Sequence, residues 1–355
     1  MSQDGIAIYG IGMITSVGLN AIQTFASVRA GISKFDESPI YGKRFEPLTM
    51  STVPDEFLPP LNETIREKER ALTSRQSRML QLASLALQEV LEGIQNTKNI
   101  PVYLGVPEAI PDLSNSVTDN FIELLSAQSE LNINTKRSKL FANGRSAGLV
   151  ALKEAMDTLI SGSEKLIIVG GVDTYLDLRL LGNLDIEDRI LSEGVMDGFV
   201  PGEGAGFLLL GLPDESGIAR EHIAKILAVA TGFEEGHRYS ENAYRGDGLA
   251  DTMQSMFSEI DLKDTSVKTV YAGFNGENFF AKEWGVACLR NQEFIMGDCR
   301  MEHPVDSFGD SGAALGALMT GLSAMGLSKN KIDGPCVVWC SSDYGMRSAL
   351  TIDKT

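Results

Sequence analysis

The sequence predicts a layered α/β fold built from two halves, and three observations carry that prediction. Apolar strand-like runs alternate with segments of helical period from Ile6 onward. Residues 139–171 read as strand, tight turn, helix and strand. A similar order of elements then begins again near residue 220. The chain has 355 residues, of which 43% are apolar and 22% charged, enough to bury a large core. We place an N-terminal half at 1–220 and a shorter C-terminal half at 221–355.

Ile6-Ala-Ile-Tyr-Gly10 has the pattern of a buried strand, with a helix expected near 19–30. Residues 34–73 carry Pro39, Pro47, Pro54, Pro59 and Pro60 and read as a polar excursion outside the core. Thr73-Ser-Arg-Gln then leads into a strongly amphipathic helix. Residues 100–106 form the next strand, and 116–128 a helix. The turn Asn143-Gly-Arg-Ser-Ala-Gly148 precedes a helix at 149–160 and a strand, Leu166-Ile-Ile-Val-Gly-Gly171. Phe207-Leu-Leu-Leu continues the sheet, and a polar segment holding Asp214 and Glu215 follows. The second half should then bring a strand at 223–231, a helix at 249–260 and a strand at 267–273. A Gly/Ala-rich helix at 312–325 and a closing strand, Cys336-Val-Val-Trp-Cys340, complete it.

Charge narrows the function. Lys and Arg total 31 against 48 Asp and Glu, a formal net charge of −17. That excludes nucleic acid and anionic membrane as partners. The longest apolar run, residues 205–212, falls far short of the roughly 20 residues of a membrane span. The first basic residue is Arg29, so no basic signal-peptide region is expected, and the chain reads as cytoplasmic.

All four Cys (288, 299, 336, 340) and all three His (222, 237, 303) fall in the last third or so of the chain. The Cys read as reduced thiols, with Cys336 and Cys340 on one face of a strand. A zinc set joining them to His303 lacks any CxxC pair, so neither metal nor cofactor is expected. His222 and His237 flank an apparent surface loop and should titrate in solvent.

Gly10-Ile-Gly12 lacks the third glycine of a dinucleotide motif, where Thr15 stands, and reads as a tight turn. Gly202-Glu-Gly-Ala-Gly206 opens a strand, so it offers no helix N-terminus to a phosphate. Gly144-Arg-Ser-Ala-Gly148 has the GxSxG form, with a strand before it and a helix after it. Ser146 is therefore a candidate nucleophile, with His303 as a writable base; a Gly-rich structural turn is the other reading.

Four segments together point further: residues 6–18, the elbow unit at 143–171, Asp197-Gly-Phe-Val-Pro-Gly-Glu-Gly-Ala-Gly206, and Ser307-Phe-Gly-Asp-Ser-Gly-Ala-Ala-Leu-Gly316. They resemble the first strand, nucleophile elbow, DGFVxGEGAG and GHxxGAAG motifs of the β-ketoacyl-acyl-carrier-protein synthases, condensing enzymes of the thiolase fold. Ser341-Ser-Asp-Tyr-Gly345 is a weak counterpart of their C-terminal Gly-rich segment. The resemblance implies a thiolase-like α-β-α-β-α layering and a dimer formed by pairing central sheets. It also implies a Cys-His-His site that takes up an acyl chain and decarboxylates an extender.

Carried over position by position, that site is replaced here. Arg145 stands at the nucleophile, Asn275 at the first His, Asp310 at the second His and Val305 at the Lys before it. No Cys occurs in the first half, and Arg cannot be deprotonated for attack. The resemblance thus implies a divergent, non-condensing member of this acyltransferase class. It would act as a chain-length-factor-like partner, adaptor or scaffold in a biosynthetic or secretion assembly. It would be a homodimer, or a heterodimer with a related synthase or another protein. An acidic acyl carrier, which such enzymes meet with basic patches, fits the charge poorly. Two alternatives stay open: an acyltransferase or acyl hydrolase using Ser146, and a fatty-acid or polyketide condensing enzyme with an unrecognised site. In this fold Arg145, Asn275 and Asp310 should converge, with Arg145 and Asp310 forming an ion pair.

Overall fold

The computed structural model describes residues 5–66, 72–94, 99–110, 116–213, 216–260, 266–295 and 297–354. The polar pair Asp214 and Glu215 lies outside them. In chain order the first half holds Ile6–Thr15 (β1), Ala21–Arg29 (α1), Asp36–Tyr41 (β2), Pro47–Met50 (β3), Glu63–Arg66 (α2) and Ser74–Val90 (α3). Then come Val102–Gly105 (β4), Phe121–Ser129 (α4), Lys139–Phe141 (β5), Ala147–Ile160 (α5), Leu166–Thr174 (β6), Leu178–Ile186 (α6) and Glu203–Gly211 (β7). The rest holds Ala224–Phe233 (β8), Asp247–Ser258 (α7), Thr269–Tyr271 (β9), Asn278–Arg290 (α8) and Arg300–Glu302 (β10). Val305–Phe308 (α9), Leu315–Ser328 (α10), Cys336–Ser341 (β11) and Met346–Asp353 (β12) complete it.

Apart from β2 and β3, the strands form one hydrogen-bonded sheet in the order β10-β9-β11-β12-β8-β1-β7-β6-β4-β5. Outward from β1, the pairings run antiparallel to β7 and β6, then parallel to β4 and β5. Outward from β8, they run antiparallel to β12 and β11, then parallel to β9 and β10. The two arms thus repeat one pattern. They join where Ile6, Ala7 and Ile8 of β1 meet Ile226, Lys225 and Ala224 of β8.

The arms fold over a shared helical layer. Helix α3 packs on β1, β7 and β6, whereas α7 packs on β8 and β12 with α8 against it. Between the arms, α5 touches β4, β6 and β8, and α10 touches β7, β6 and β11. The layers alternate α-β-α-β-α, the thiolase-like arrangement. Sequence explains the placement. Residues 315–327 of α10 are buried on every side, as a helix enclosed by two sheets requires. Helix α3 is amphipathic and starts at a capping box between Thr73 and Gln76. On β11, Cys336, Val338 and Cys340 face the central layer, whereas Val337 and Trp339 face α7.

Several elements differ from the sequence-based expectation. Gly10 and Gly12 lie inside β1, not in a turn. A Cβ on Gly12 would stand 1.9 Å from the Ala86 carbonyl oxygen, and one on Gly10 2.1 Å from that of Val90. Glycine there lets α3 seat directly on the strand. The excursion at 34–73 reaches the core after all: β2 and β3 form a small sheet, and Leu48 and Met50 pack with Tyr175 and Phe199. Strand β11 does not close the sheet, because β12 returns beside it and pairs with β8. His222 and His237 are half-buried, packed edge-on against Tyr9 and Phe233 respectively.

Gly171, in β6, approaches the start of the second elbow so closely that a Cβ would stand 2.1 Å from the Ala313 carbonyl oxygen. Gly171→Ala should lower unfolding free energy by about 1–3 kcal/mol, with an unchanged urea m-value.

Candidate functional site

Two similar turns build the site. Gly144 has φ 58°, Gly312 has φ 52°, and each starts a single 3₁₀ turn that feeds a central helix, α5 or α10. Glycine is the residue that takes this conformation without strain. The turns touch, so Arg145 of the first reaches Asp310 beside the second.

Arg145 is 3% exposed, and its Nε donates to Asp310 Oδ2 at 2.6 Å. Its Nη1 donates to Asp343 Oδ1 at 3.0 Å, and its Nη2 lies 3.3 Å from the Tyr175 hydroxyl. Asn275 Nδ2 bridges Asp310 Oδ2 at 3.0 Å and Glu277 Oε2 at 2.8 Å. The expected Arg145–Asp310 pair therefore forms, flanked by Asn275. Phe199 and Phe280 lie against the Arg145 guanidinium, with ring centroids at 5.5 and 5.2 Å.

The cluster is larger than the motifs indicated. Arg189 makes a two-pronged pair with Glu277, at 2.8 and 2.9 Å, and reaches Asp343 Oδ2 at 3.0 Å. Arg238 Nη2 adds an ion-pair contact to Glu277 Oε1 at 2.7 Å. Three guanidiniums thus interleave with Asp310, Glu277 and Asp343. Burial works against the charge of Asp343, yet Arg145, Arg189 and Arg238 hold its carboxyl well below the usual range. Asp343 sits inside the weak C-terminal Gly-rich counterpart and Glu277 lies two residues after Asn275, whereas Arg189 and Arg238 lie outside every segment that carries the resemblance. No local pattern marks these residues as partners.

The remaining candidates sit elsewhere. Val305 heads α9 and packs in the central apolar core, away from the charges. Ser146 is fully buried; its hydroxyl lies 2.9 Å from the Cys340 carbonyl oxygen and 3.0 Å from that of Met346. Its amide donates to Ser342 Oγ at 2.9 Å. These bonds tie the elbow to the β11–β12 hairpin. His303, the writable base, stacks on Phe274 with centroids 5.4 Å apart. Among the described residues no group of three or more His, Cys, Asp or Glu is arranged to hold a metal ion. Burial pushes the Cys336 thiol up to about 12 and raises that of Cys340 further. A cavity of about 90 Å³ opens beside the charge cluster, lined in part by Glu108, Arg145, Arg189, Tyr239, Asp343 and Tyr344.

Residues 144–214 match the family described as "Beta-ketoacyl synthase, N-terminal domain". Over its length the chain also superposes on solved ketosynthases. The module 6 ketosynthase of the bacillaene synthase from Bacillus subtilis 168 gives a TM-score of 0.78 at 16% identity, over 99% of this chain and 72% of that one. The fold is that of the ketosynthases, and residues 144–214 carry the local match to the β-ketoacyl synthase model. The ishigamide ketosynthase/chain length factor gives a TM-score of 0.78 at 15% identity, covering 99% of each chain. A β-ketoacyl synthase from Burkholderia phymatum STM815 gives 0.73 at 16%, again over 99% of each. No curated protein matches the chain.

Two outcomes test this geometry. Arg145→Met leaves Asp310 buried beside Asp343 with no guanidinium between them, so it should cost about 3–5 kcal/mol of stability in chemical denaturation. Arg145→Met combined with Asp310→Asn should cost less than the single change. Cys336 and Cys340 are fully buried with raised thiol pKa values, so neither should react with iodoacetamide at pH 8 until the chain unfolds.

Proposed function

We propose that this chain is a non-catalytic member of the ketosynthase group, kept for its surfaces and not for carbon–carbon bond formation. The observation that carries the reading is the closed ion cluster at Arg145, Asn275 and Asp310, which by motif alignment are the positions of the nucleophile and two histidines. A condensing enzyme needs a thiolate there, and two groups able to bind a thioester oxygen. Arg145 offers no nucleophilic lone pair at neutral pH, and its donors face Asp310, Asp343 and the Tyr175 hydroxyl.

The acyltransferase or hydrolase reading gains nothing from Ser146. Two backbone carbonyls surround its hydroxyl, and neither can accept a proton as a general base. The likeness to a ketosynthase/chain length factor supports a partner role, chain-length-factor-like or as adaptor or scaffold in a biosynthetic or secretion assembly. We take the working unit to be a cytoplasmic homodimer or a heterodimer with a related synthase. No described helix is long and apolar enough to cross a membrane.

Intact-protein mass spectrometry after incubation with malonyl thioester, acyl thioester and a fluorophosphonate tests the reading. The expected result is no adduct with any reagent. An acyl or phosphonyl adduct that disappears in Ser146→Ala would overturn it.

A further inference from the structure

A second concavity opens where the end of α3 meets the start of α1. It is an open groove of about 600 Å³, lined among others by Asn20, Ile22, Glu89, Leu91, Glu92 and Leu131. It shares no lining residue with the cavity beside Arg145. Its apolar part is graded: Leu91 is buried, Leu131 half-buried, and Ile22 is 68% exposed. An exposed Ile alone is ordinary, but here it borders two further aliphatic side chains in a hollow.

The charge around this hollow is one-sided. Helix α3 ends at Val90, and the carbonyl end of a helix favours cations. Its last turn holds no basic residue; Glu89 stands there instead, with Glu92 three residues on. Like charges at that spacing repel. Among the described residues, no Lys or Arg lines the groove. Glu89 is also fixed in place, because its carboxylate accepts the Met13 and Ala21 amides, each at 2.8 Å. Glu92 is exposed.

We propose that this groove docks a basic amphipathic helix of a partner protein, its aliphatic side chains among Ile22, Leu91 and Leu131 and its Lys or Arg facing Glu89 and Glu92. Apolar anchors at helical spacing suit such a hollow. Cations brought by the partner relieve the Glu89–Glu92 repulsion and complement the end of α3. Because Glu89 is already held by two amides, it presents its charge at little ordering cost. A second copy is a poor occupant. Two-fold contact would set these acids against themselves, and any other contact starts from −17 on each chain. Anionic lipid meets the same repulsion. The groove does not depend on the non-catalytic reading, since it lies apart from the Arg145 cluster.

Fluorescence anisotropy with a labelled Leu/Lys peptide of helical period, and with its Leu/Glu counterpart, tests the proposal on the whole chain. The Leu/Lys peptide should bind, more weakly as salt rises, and the Leu/Glu peptide should not. Glu92→Lys and Ile22→Ser should each weaken binding about tenfold. Glu241→Lys makes the same charge change at an exposed site in the other arm and should leave affinity within about twofold. Should either groove variant not fold, methyl NMR of the native protein decides, with peptide-induced shifts expected at Ile22, Leu91 and Leu131. No binding, equal binding of both peptides, or equal losses in Glu241→Lys and Glu92→Lys would each overturn the proposal. So would affinity unchanged by Ile22→Ser, shifts confined to other methyl groups, or a dimer in sedimentation that Ile22→Ser dissociates.

Discussion

Three arginines crowd into one small volume because carboxylates separate them, and the contact between the two elbows rests on that alternation. Arg145 comes from the first elbow, Asp310 from just before the second, Glu277 from the start of α8 and Asp343 from the β11–β12 turn. Take any one charge away and the others face each other across an interior that screens poorly. Asp343 is the shared member, bonded to both Arg145 and Arg189. Through it the cluster fixes where the hairpin lies against the helical layer. Ser146 adds neutral bonds to the same hairpin, so polar contacts hold the elbow on two sides.

A second buried carboxylate does similar work on the first arm. Glu203 opens β7 and is fully buried, paired in two-pronged fashion with Arg78 of α3 at 2.6 and 2.7 Å. It also accepts the Val53 amide and the Thr174 hydroxyl, each at 2.7 Å. One glutamate therefore ties the outer helix, the excursion and the sheet together. The glycines around it, at 202, 204 and 206, let neighbouring backbone come close; a Cβ on Gly202 would stand 2.5 Å from the Phe308 carbonyl oxygen. The physical content of the GEGAG run is dense backbone packing about one buried charge, and none of it needs a phosphate.

The layered fold was legible because its signals are local. The period of α3, the Gly-bounded elbow and the apolar runs of β6 and β7 each announce themselves within a few residues. The convergence of Arg145, Asn275 and Asp310 was legible through motif spacing, which transfers long-range geometry that no propensity contains. Arg189, Arg238 and Asp343 were not legible as partners. They are brought together from three separate chain segments by the folding of the two arms, and a charged residue in a loop ordinarily belongs in solvent. Gly10 and Gly12 were misread for a related reason. A glycine that admits a crossing helix looks, in sequence, like a glycine that makes a turn.

The charge arithmetic takes on a different meaning at this scale. The whole chain carries −17, yet around Arg145 the three guanidiniums balance Asp310, Glu277 and Asp343, which leaves Glu108 as the added acid. Placing a thiol at position 145 would therefore not recreate a condensing site. The carboxyl groups of Asp310 and Asp343 would stand beside it, an acidic setting that disfavours the thiolate the chemistry needs. An acyl thioester oxygen developing negative charge would also face carboxylates where it requires donors. The substitutions form a mutually dependent set. A condensing site at these positions would need several of them to change together, because each charge here is balanced by its neighbours.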